Sequence, residues 1–487
     1  MKINLKKKIM MAVLAGGMMC MNGVLAGTGV VSGGKSGTPE NPAGTTTYTG
    51  AVSGAYVSTN GAITISDGVD SFAYTLFCGG LSVSGAASGN SITISGGTFI
   101  EYSVFNGGSS GGNLTVSGNI VTVSGGSFGN NNFIHGGVCR NGDTTGKIVE
   151  INGGTFGVSS EFIGGSCDSG AGTASSNILR ISGGSFADAD VSYNRVFFVG
   201  GLCSNGTVSG NTVTISGGSF GTLNAIYGGY SNNIGNITDN LVEISGGTFG
   251  SGSKIYGGYS FSGDVTGNTV NISGGTFGAD SKIYGGYSDG SSATASGNMV
   301  TVSGGIFADN FEIQGGFVPA GGGNSGVTSN NILNLKTKIS GKANLIGRFQ
   351  IMNFTLPADI KSKDVMLSTN QLFVDTTDEG IAKVNVFAAP GVSLKAGDII
   401  TLIQSDDTSS GKYIAGDDGI LGGAAEFYYE FESNEDKNGD GDKSDLVIKL
   451  LEDLVIEPLV PPAGSTDKEK SPVEAIAATA AMLNQSA

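Results

Sequence analysis

The side chains that come closest to a metal-binding pattern lie in an acidic segment near the C-terminus. Carboxylate or amide oxygens recur there at the spacing of a helix-flanked calcium loop, with Asn at the first position and Asp at the twelfth. The flanking residues 428–431 and 446–450 resemble strands, which favours a plain acidic hairpin loop. Calcium and a metal-free loop both stay open, and no other cofactor is predicted. The candidate calcium ligands are Asn434, Asp436, Asn438, Asp440, Asp442 and Asp445.

Residues that could act in catalysis are few and scattered. His135 is the only histidine, and its position in the repeats described below changes from unit to unit, which predicts a surface position. Residues 107–111 have the spacing of a nucleophile turn, but that motif requires a strand followed by a helix. Glu150 and Glu243 share an outward strand position three repeats apart, whereas glycosidases need two carboxyls within about 5–10 Å. We therefore expect a protein that is not an enzyme.

Three cysteines share one column of the repeats. Cys139, Cys167 and Cys203 each follow a Gly-Gly pair by two residues, where other units carry serine. Neighbouring turns would bring their Cα atoms within disulfide range, although parallel stacking points the sulfurs the same way. Stacking of small residues and a single disulfide both stay open.

Three tyrosines form a second column. Alternation along the strand predicts that Tyr227, Tyr256 and Tyr284 face outward, with a further tyrosine three residues after each. An exposed strip of this kind has the amphipathic character of protein-binding sites. It could contact a host surface, a glycan or protein ligand, or another copy of the protein. Self-stacking that merely strengthens the turns is the alternative.

The elements that must position these residues come from a repeated phrase: an aliphatic residue, Ser or Asn, Gly-Gly, a small residue and Phe. Its period of 28 to 34 residues is that of stacked supersecondary units. One repeat is therefore expected to form one turn of a solenoid. The phenylalanines are Phe99, Phe128, Phe156, Phe186, Phe220, Phe249, Phe277 and Phe307.

An asparagine column lies five residues before the Ser of the phrase and is interrupted only by Lys147. Stacked amides of this kind bond one another along parallel strands. The residues that follow alternate, as in Asn211 to Ile215, so that Val213 and Ile215 point to one side. These patterns predict an all-β fold, a parallel β-helix of roughly nine turns with three short strands per turn.

The domain organisation follows from composition. Residues 1–26 have the basic, apolar and small-residue regions of a secretory signal peptide. Residues 27–59 are expected to form an N-terminal lead-in or cap. Residues 60–335 are expected to form the repeat β-helix, and residues 336–455 a more irregular β extension that caps it. Residues 456–487 are predicted to form a linker and a short helix. The formal charge of −16 argues against nucleic-acid binding, which needs a basic surface.

Three motifs together resemble the bacterial autotransporters of type V secretion. The Gly-Gly repeats resemble their passenger domains, FQIMNFTLP at 349–357 and LKAGDIITLI at 394–403 resemble the stem before the barrel, and AMLNQ at 481–485 resembles the linker in its pore. The resemblance covers nearly the whole chain after residue 26. It departs from the family in one respect, because no set of barrel strands follows residue 485. Contact with the outer membrane is thus expected only through a barrel that this chain does not contain.

The resemblance implies an exported passenger at the cell surface, in the outer membrane or outside the cell. Rigid length and repeated surface columns favour an adhesin or a self-associating surface protein. A carbohydrate-active, polysaccharide-degrading enzyme with its site in residues 340–455 is the alternative, and a purely structural spacer is the third possibility.

Overall fold

Each repeat forms one turn of a parallel β-solenoid, and the computed structural model has about ten such turns. The predicted all-β parallel β-helix is confirmed. This number is close to the roughly nine turns predicted for residues 60–335. Each turn also has four strand positions instead of three, because a short strand precedes the ladder asparagine.

The described part of the chain covers the repeats and most of the extension after them. Among these residues there is no helix, and hence no helix that could cross a membrane. The predicted signal peptide and the predicted C-terminal helix lie outside the described residues. The structure describes residues 28–31, 45–48, 56–58, 62–65, 72–73, 76–82, 86–111, 115–168, 172–189, 196–319, 327–373, 381–410, 412–415, 429–431 and 445–456.

Sheet 1 is built from the strands with alternating aliphatic residues. In each turn the two aliphatic side chains predicted to point inward are buried, as Val213 and Ile215 illustrate with no exposed surface. Partner residues lie in register from turn to turn, so the core is a continuous aliphatic column. The strands are Thr28–Val31, Thr45–Tyr48, Ala62–Ile65, Ser91–Ile94, Ile120–Val123, Ile148–Ile151, Ile178–Ile181, Thr212–Ile215, Leu241–Ile244, Thr269–Ile272, Met299–Val302, Ile332–Leu335, Ile351–Leu356, Ile381–Ala388 and Lys412–Ala415.

Sheet 2 carries the phenylalanines of the repeated phrase. Their rings stack on one another, with centroids 4.7 Å apart between Phe220 and Phe249 and 4.9 Å apart between Phe249 and Phe277. The ladder fills the corner of the core beside sheet 1. The strands are Phe72–Ala73, Thr98–Glu101, Ser127–Asn130, Thr155–Phe156, Ser185–Phe186, Ser219–Phe220, Thr248–Phe249, Thr276–Phe277 and Ile306–Phe307.

Sheet 3 contains the second Gly-Gly pair of each turn. One buried apolar side chain per turn, such as Ile226, packs into the core from this sheet. The strands are Tyr56–Ser58, Leu76–Cys78, Leu81–Ser82, Val104–Asn106, Ser109–Ser110, Phe133–His135, Val138–Cys139, Glu161–Cys167, Phe197–Cys203, Ala225–Ser231, Lys254–Ser260, Lys282–Ser288, Glu312–Phe317, Lys342–Gly347, Ser368–Phe373, Ile399–Ser410, Tyr429–Phe431 and Leu446–Leu450.

Sheet 4 closes the turn between sheets 3 and 1. Its buried residues, among them Val208 and Ile237, pack with Cys167 and Cys203 in a small core separate from the main one. The strands are Val116–Ser117, Thr144–Thr145, Ala174–Ser175, Val208–Ser209, Ile237–Thr238, Val265–Thr266, Thr294–Ser296 and Val327–Ser329.

A buried asparagine ladder holds successive turns in register. Asn211 donates from its backbone N–H and its side-chain amide to Oδ1 of Asn240, at 3.0 and 2.9 Å, and also to the carbonyl of Ala174 at 2.8 Å. Buried amides are costly unless bonded in this way. The predicted ladder is therefore confirmed, as is its interruption at Lys147.

The Gly-Gly pair of sheet 3 is required because the next turn and the asparagine ladder leave no room for a side chain. A Cβ atom on Gly228 would lie 2.4 Å from the carbonyl oxygen of Gly257, and one on Gly229 would lie 2.6 Å from Nδ2 of Asn240. No larger residue fits there without moving the backbone. The pair also resets the alternation of the strand, so that Tyr227 and Tyr230 lie in the same outer cluster while Ser231 bonds within the turns.

The solenoid continues beyond residue 336, and its strand pairing then becomes antiparallel. Lys342–Gly347 and Ser368–Phe373 extend sheet 3 in parallel, and Ile351–Leu356 extends sheet 1. Leu446–Leu450 then pairs antiparallel with Ile399–Ser410, and a second antiparallel pair joins Ser393–Leu394 to Leu454–Val455. Antiparallel strands at this end cover an edge that would otherwise be free to pair.

Candidate functional site

The tyrosine columns lie on the outer side of sheet 3. The ring centroids of Tyr227 and Tyr256 are 5.0 Å apart and those of Tyr256 and Tyr284 are 5.2 Å apart, nearly parallel in both cases. The second column meets the first edge to face, as between Tyr256 and Tyr259 at 5.6 Å. These rings form a cluster separate from the main core, so they point away from it as predicted.

The exposure predicted for the first column is wrong. Tyr227, Tyr256 and Tyr284 are each only 5% exposed, because every ring is packed between its neighbours in the stack and against the second column. The phenol of Tyr284 also contacts Oε2 of Glu312 at 3.2 Å, and burial is the main reason that the pKa of this phenol is raised. These three residues therefore lie beneath the surface and pack against the side chains that form it.

The more accessible rings of this cluster belong to the second column, which lies three residues after the first in each turn. Tyr259, Tyr287 and Phe317 are half-buried and stack at 5.4 and 4.6 Å. We call these three residues the aromatic patch. The three-residue offset after each Gly-Gly was the available signal, but strand alternation alone does not predict which column is outermost.

Charged groups border the aromatic patch on two sides. Exposed Asp289 accepts a hydrogen bond from the Tyr259 hydroxyl at 2.5 Å. The Arg348 guanidinium lies 4.7 Å from the centroid of Phe317, within cation–π range. Burial, with the nearby Asp289 carboxylate, raises the pKa of Tyr287 to about 12, so its hydroxyl stays protonated at neutral pH. The patch thus offers aromatic faces with hydrogen-bonding edges.

His135 lies in the same sheet but is not at the surface, contrary to the prediction. It is 4% exposed, and its Nε2 atom has no hydrogen-bond partner. Burial lowers the pKa of His135 to about 4 and raises that of Glu161, which lies in the next turn, to about 8. Both groups are therefore neutral at pH 7, because burial disfavours the charged form of each.

A lysine and the cysteine column meet inside the turns. Nζ of Lys147 donates to the carbonyls of Val116 and Thr145, the latter at 3.1 Å, and burial lowers the pKa of this amine to about 7. The hydroxyl of the adjacent Thr144 lies 3.6 Å from Sγ of Cys167. Both the lysine and the cysteine have no exposed surface.

The cysteines of neighbouring turns lie in register. Cys139 is paired with Cys167, and Cys167 with Cys203, across parallel strands. All are buried thiols. The neighbouring Cys203 lowers the pKa of Cys167, and Cys167 together with burial raises the pKa of Cys203, whose thiol donates to the carbonyl of Gly172 at 3.2 Å.

Of the candidate calcium ligands, only Asp445 lies within the described residues; the other five lie outside them. Asp445 is 1% exposed, and its Oδ1 accepts a hydrogen bond from the backbone N–H of Ser405 at 2.9 Å. Its carboxylate thus ties two antiparallel strands together. Within the described ranges, no group of three or more His, Cys, Asp or Glu side chains is placed to hold a metal ion.

The outward positions of sheet 1 are polar and exposed or half-buried. Glu150 and Arg180, in adjacent turns, form an ion pair of 3.2 Å on the surface. Glu243 lies two turns beyond Arg180, next to Thr214 and Asn271. The repeat strands therefore keep the two outward glutamates apart, as their sequence spacing predicted.

The fold and the regular surface columns define the chain as a parallel β-solenoid repeat protein. Comparison of the chain with protein-family models, with curated proteins and with solved structures finds no match among any of them. The resemblance to autotransporter passengers therefore stays a prediction from the sequence motifs.

Proposed function

We propose that this protein is an exported β-solenoid passenger that acts at the cell surface as an adhesin or self-associating protein. Export and delivery by type V secretion are inferred from the N-terminal segment and from the motifs shared with autotransporters. The partner would be a host surface, a glycan or protein ligand, or a second copy of the chain.

The observation that carries the proposal is the aromatic patch on a rigid support. Tyr259, Tyr287 and Phe317 stack in register over a buried tyrosine column, so they are already ordered before any partner binds. Preordered aromatic groups lose little conformational entropy on binding, and tyrosine and arginine are enriched at the centres of interfaces. The adjacent Asp289 and Arg348 supply charges that can select a partner.

The two alternative functions, an enzyme and a spacer, require different structural features. A polysaccharide-degrading enzyme needs paired carboxyls at a groove, and its site would lie in residues 340–455. A spacer needs no binding surface at all. We favour binding to a partner, because neither alternative function requires ordered aromatic rings bordered by charged groups.

The test is adhesion and self-association of the triple variant Tyr259→Ser, Tyr287→Ser and Phe317→Ser. Beads coated with the natural chain are expected to bind host cells or to cluster, and the triple variant is expected to lose at least tenfold of that activity. Phe261→Ser is the matched control, because Phe261 is an aromatic residue 42% exposed outside the patch. Equal binding by the natural chain and the triple variant would contradict the proposed surface.

A further inference from the structure

We infer that Cys167 and Cys203 form a disulfide that links two consecutive turns of the solenoid. Two observations carry this inference: the register of the two residues and the small buried core that they share.

The register brings the two cysteines as close as neighbouring strands allow. Cys167 and Cys203 are direct partners in parallel strands of sheet 3. Adjacent strands are separated by about 4.8 Å, within the 4.4–6.8 Å range of Cα separations in disulfides. Sγ of Cys203 donates to the carbonyl of Gly172 at 3.2 Å, and both cysteine side chains pack in the same small buried core.

The third cysteine of the column is held differently. Sγ of Cys139 accepts a hydrogen bond from the backbone N–H of Gly142 at 3.1 Å. Cys139 also packs in a different cluster, with Ala87 and Val116, whereas Cys167 and Cys203 share one. The pairing is therefore expected to be Cys167 with Cys203, although Cys139 is equally adjacent to Cys167 in the sheet.

The chemistry is a thiol–disulfide exchange with an oxidised dithiol compound. The thiolate of Cys167 attacks one sulfur of the oxidant and forms a mixed disulfide with it, while the other sulfur of the oxidant leaves as a thiolate and takes up a proton. The thiolate of Cys203 then attacks the sulfur of Cys167 in the mixed disulfide and releases the second thiol of the oxidant. The two cysteines lose two electrons and two protons, and the oxidant gains both. This must happen before the turns close, because both cysteines are fully buried afterwards.

The inference rests on the proposed export only for the supply of the oxidant, since disulfides persist outside the cytosol. Its test is independent of adhesion. The full chain is refolded with oxidised glutathione, unfolded in guanidinium with iodoacetamide, digested and mapped by mass spectrometry. The expected result is one linked peptide that contains Cys167 and Cys203, with the other three of the five cysteines alkylated.

Serine variants make the test specific, because serine occupies the same column in later turns, for example at Ser231. Cys167→Ser and Cys203→Ser should each abolish the linked peptide, and Cys139→Ser should leave it intact. The oxidised natural chain should also unfold at a higher urea concentration than the reduced chain. Alkylation of all five cysteines, or a linked peptide with Cys139, would overturn the inference.

Discussion

The backbone N–H of Lys147 donates to Oδ1 of Asn177 at 3.2 Å, while the Lys147 side chain turns away to the carbonyls of Val116 and Thr145. One position of the ladder thus keeps the backbone bond and loses the amide pair. The same position places an amine in the interior, where burial lowers its pKa to about 7. This single turn therefore differs from its neighbours in both hydrogen bonding and charge.

Lys147→Asn is expected to stabilise the protein. Asparagine would restore the side-chain bonds to its neighbours, Asn119 and Asn177, and would remove a buried amine, for a gain of about 1–3 kcal/mol in the free energy of unfolding. Urea unfolding at pH 7 measures this gain in the free energy of unfolding. The reverse change, Asn240→Lys, is the matched control and should destabilise an intact part of the ladder. A lower stability for Lys147→Asn would contradict this account.

The pH dependence of the stability of Lys147→Asn tests the protonation of the Lys147 amine. The unfolded amine keeps its proton up to about pH 10.5, whereas the folded amine loses it above about pH 7. The unfolded state then binds more protons, so the contribution of Lys147 to stability rises from pH 7 to pH 10.5 and is constant below pH 7. Between pH 7.5 and 9.5 the advantage of Lys147→Asn should shrink by about 2 kcal/mol.

Glu161 should give a slope of opposite sign at lower pH. Burial raises its pKa from 4.5 to about 8, so the folded state holds a proton that the unfolded state loses. Its contribution is fully present below pH 4.5, falls as pH rises to 8, and is constant beyond. Glu161→Gln should remove about 3–4 kcal/mol of that decline, measured by urea unfolding at pH 5 and pH 8. An unchanged pH dependence of stability in Glu161→Gln would contradict this account.

Gly228→Ala is expected to destabilise the stack by roughly 3 kcal/mol, because a methyl group would meet the carbonyl of Gly257 at 2.4 Å. Thermal or urea unfolding measures the loss. Gly210→Asn is the control: Gly210 has a φ of 61° with open space around it, and Asp239 occupies the equivalent place with a φ of 56°. That substitution should cost less than about 1 kcal/mol, since asparagine tolerates this backbone region. Similar losses for both would contradict the steric explanation.

Asp445→Ala is expected to cost about 2 kcal/mol, because the buried N–H of Ser405 would lose its acceptor. The loss should be the same in calcium and in EDTA if the carboxylate acts within the protein alone. Asp453→Ala removes a more exposed carboxylate that accepts from the backbone of Ala396, and it should cost less. Destabilisation that appears only in calcium would instead support the calcium loop.

The sequence by itself determined the stacking. Each turn is a near copy of the last, so equal spacing of Asn211 and Asn240, or of Phe220 and Phe249, is sufficient to predict that they lie over one another. The inward aliphatic pairs follow from the same period, because alternation along a short strand leaves two choices and hydrophobicity selects one.

Only the tertiary structure decided what lies at the outer surface. The Gly-Gly pair resets the strand alternation, so Tyr230 joins Tyr227 in the outer cluster and leaves the latter only 5% exposed. His135 is buried for a related reason, since a variable column can still be covered by its neighbours. The packing of Cys167 and Cys203 in one small core likewise depends on distances between side chains, which a repeat period does not contain.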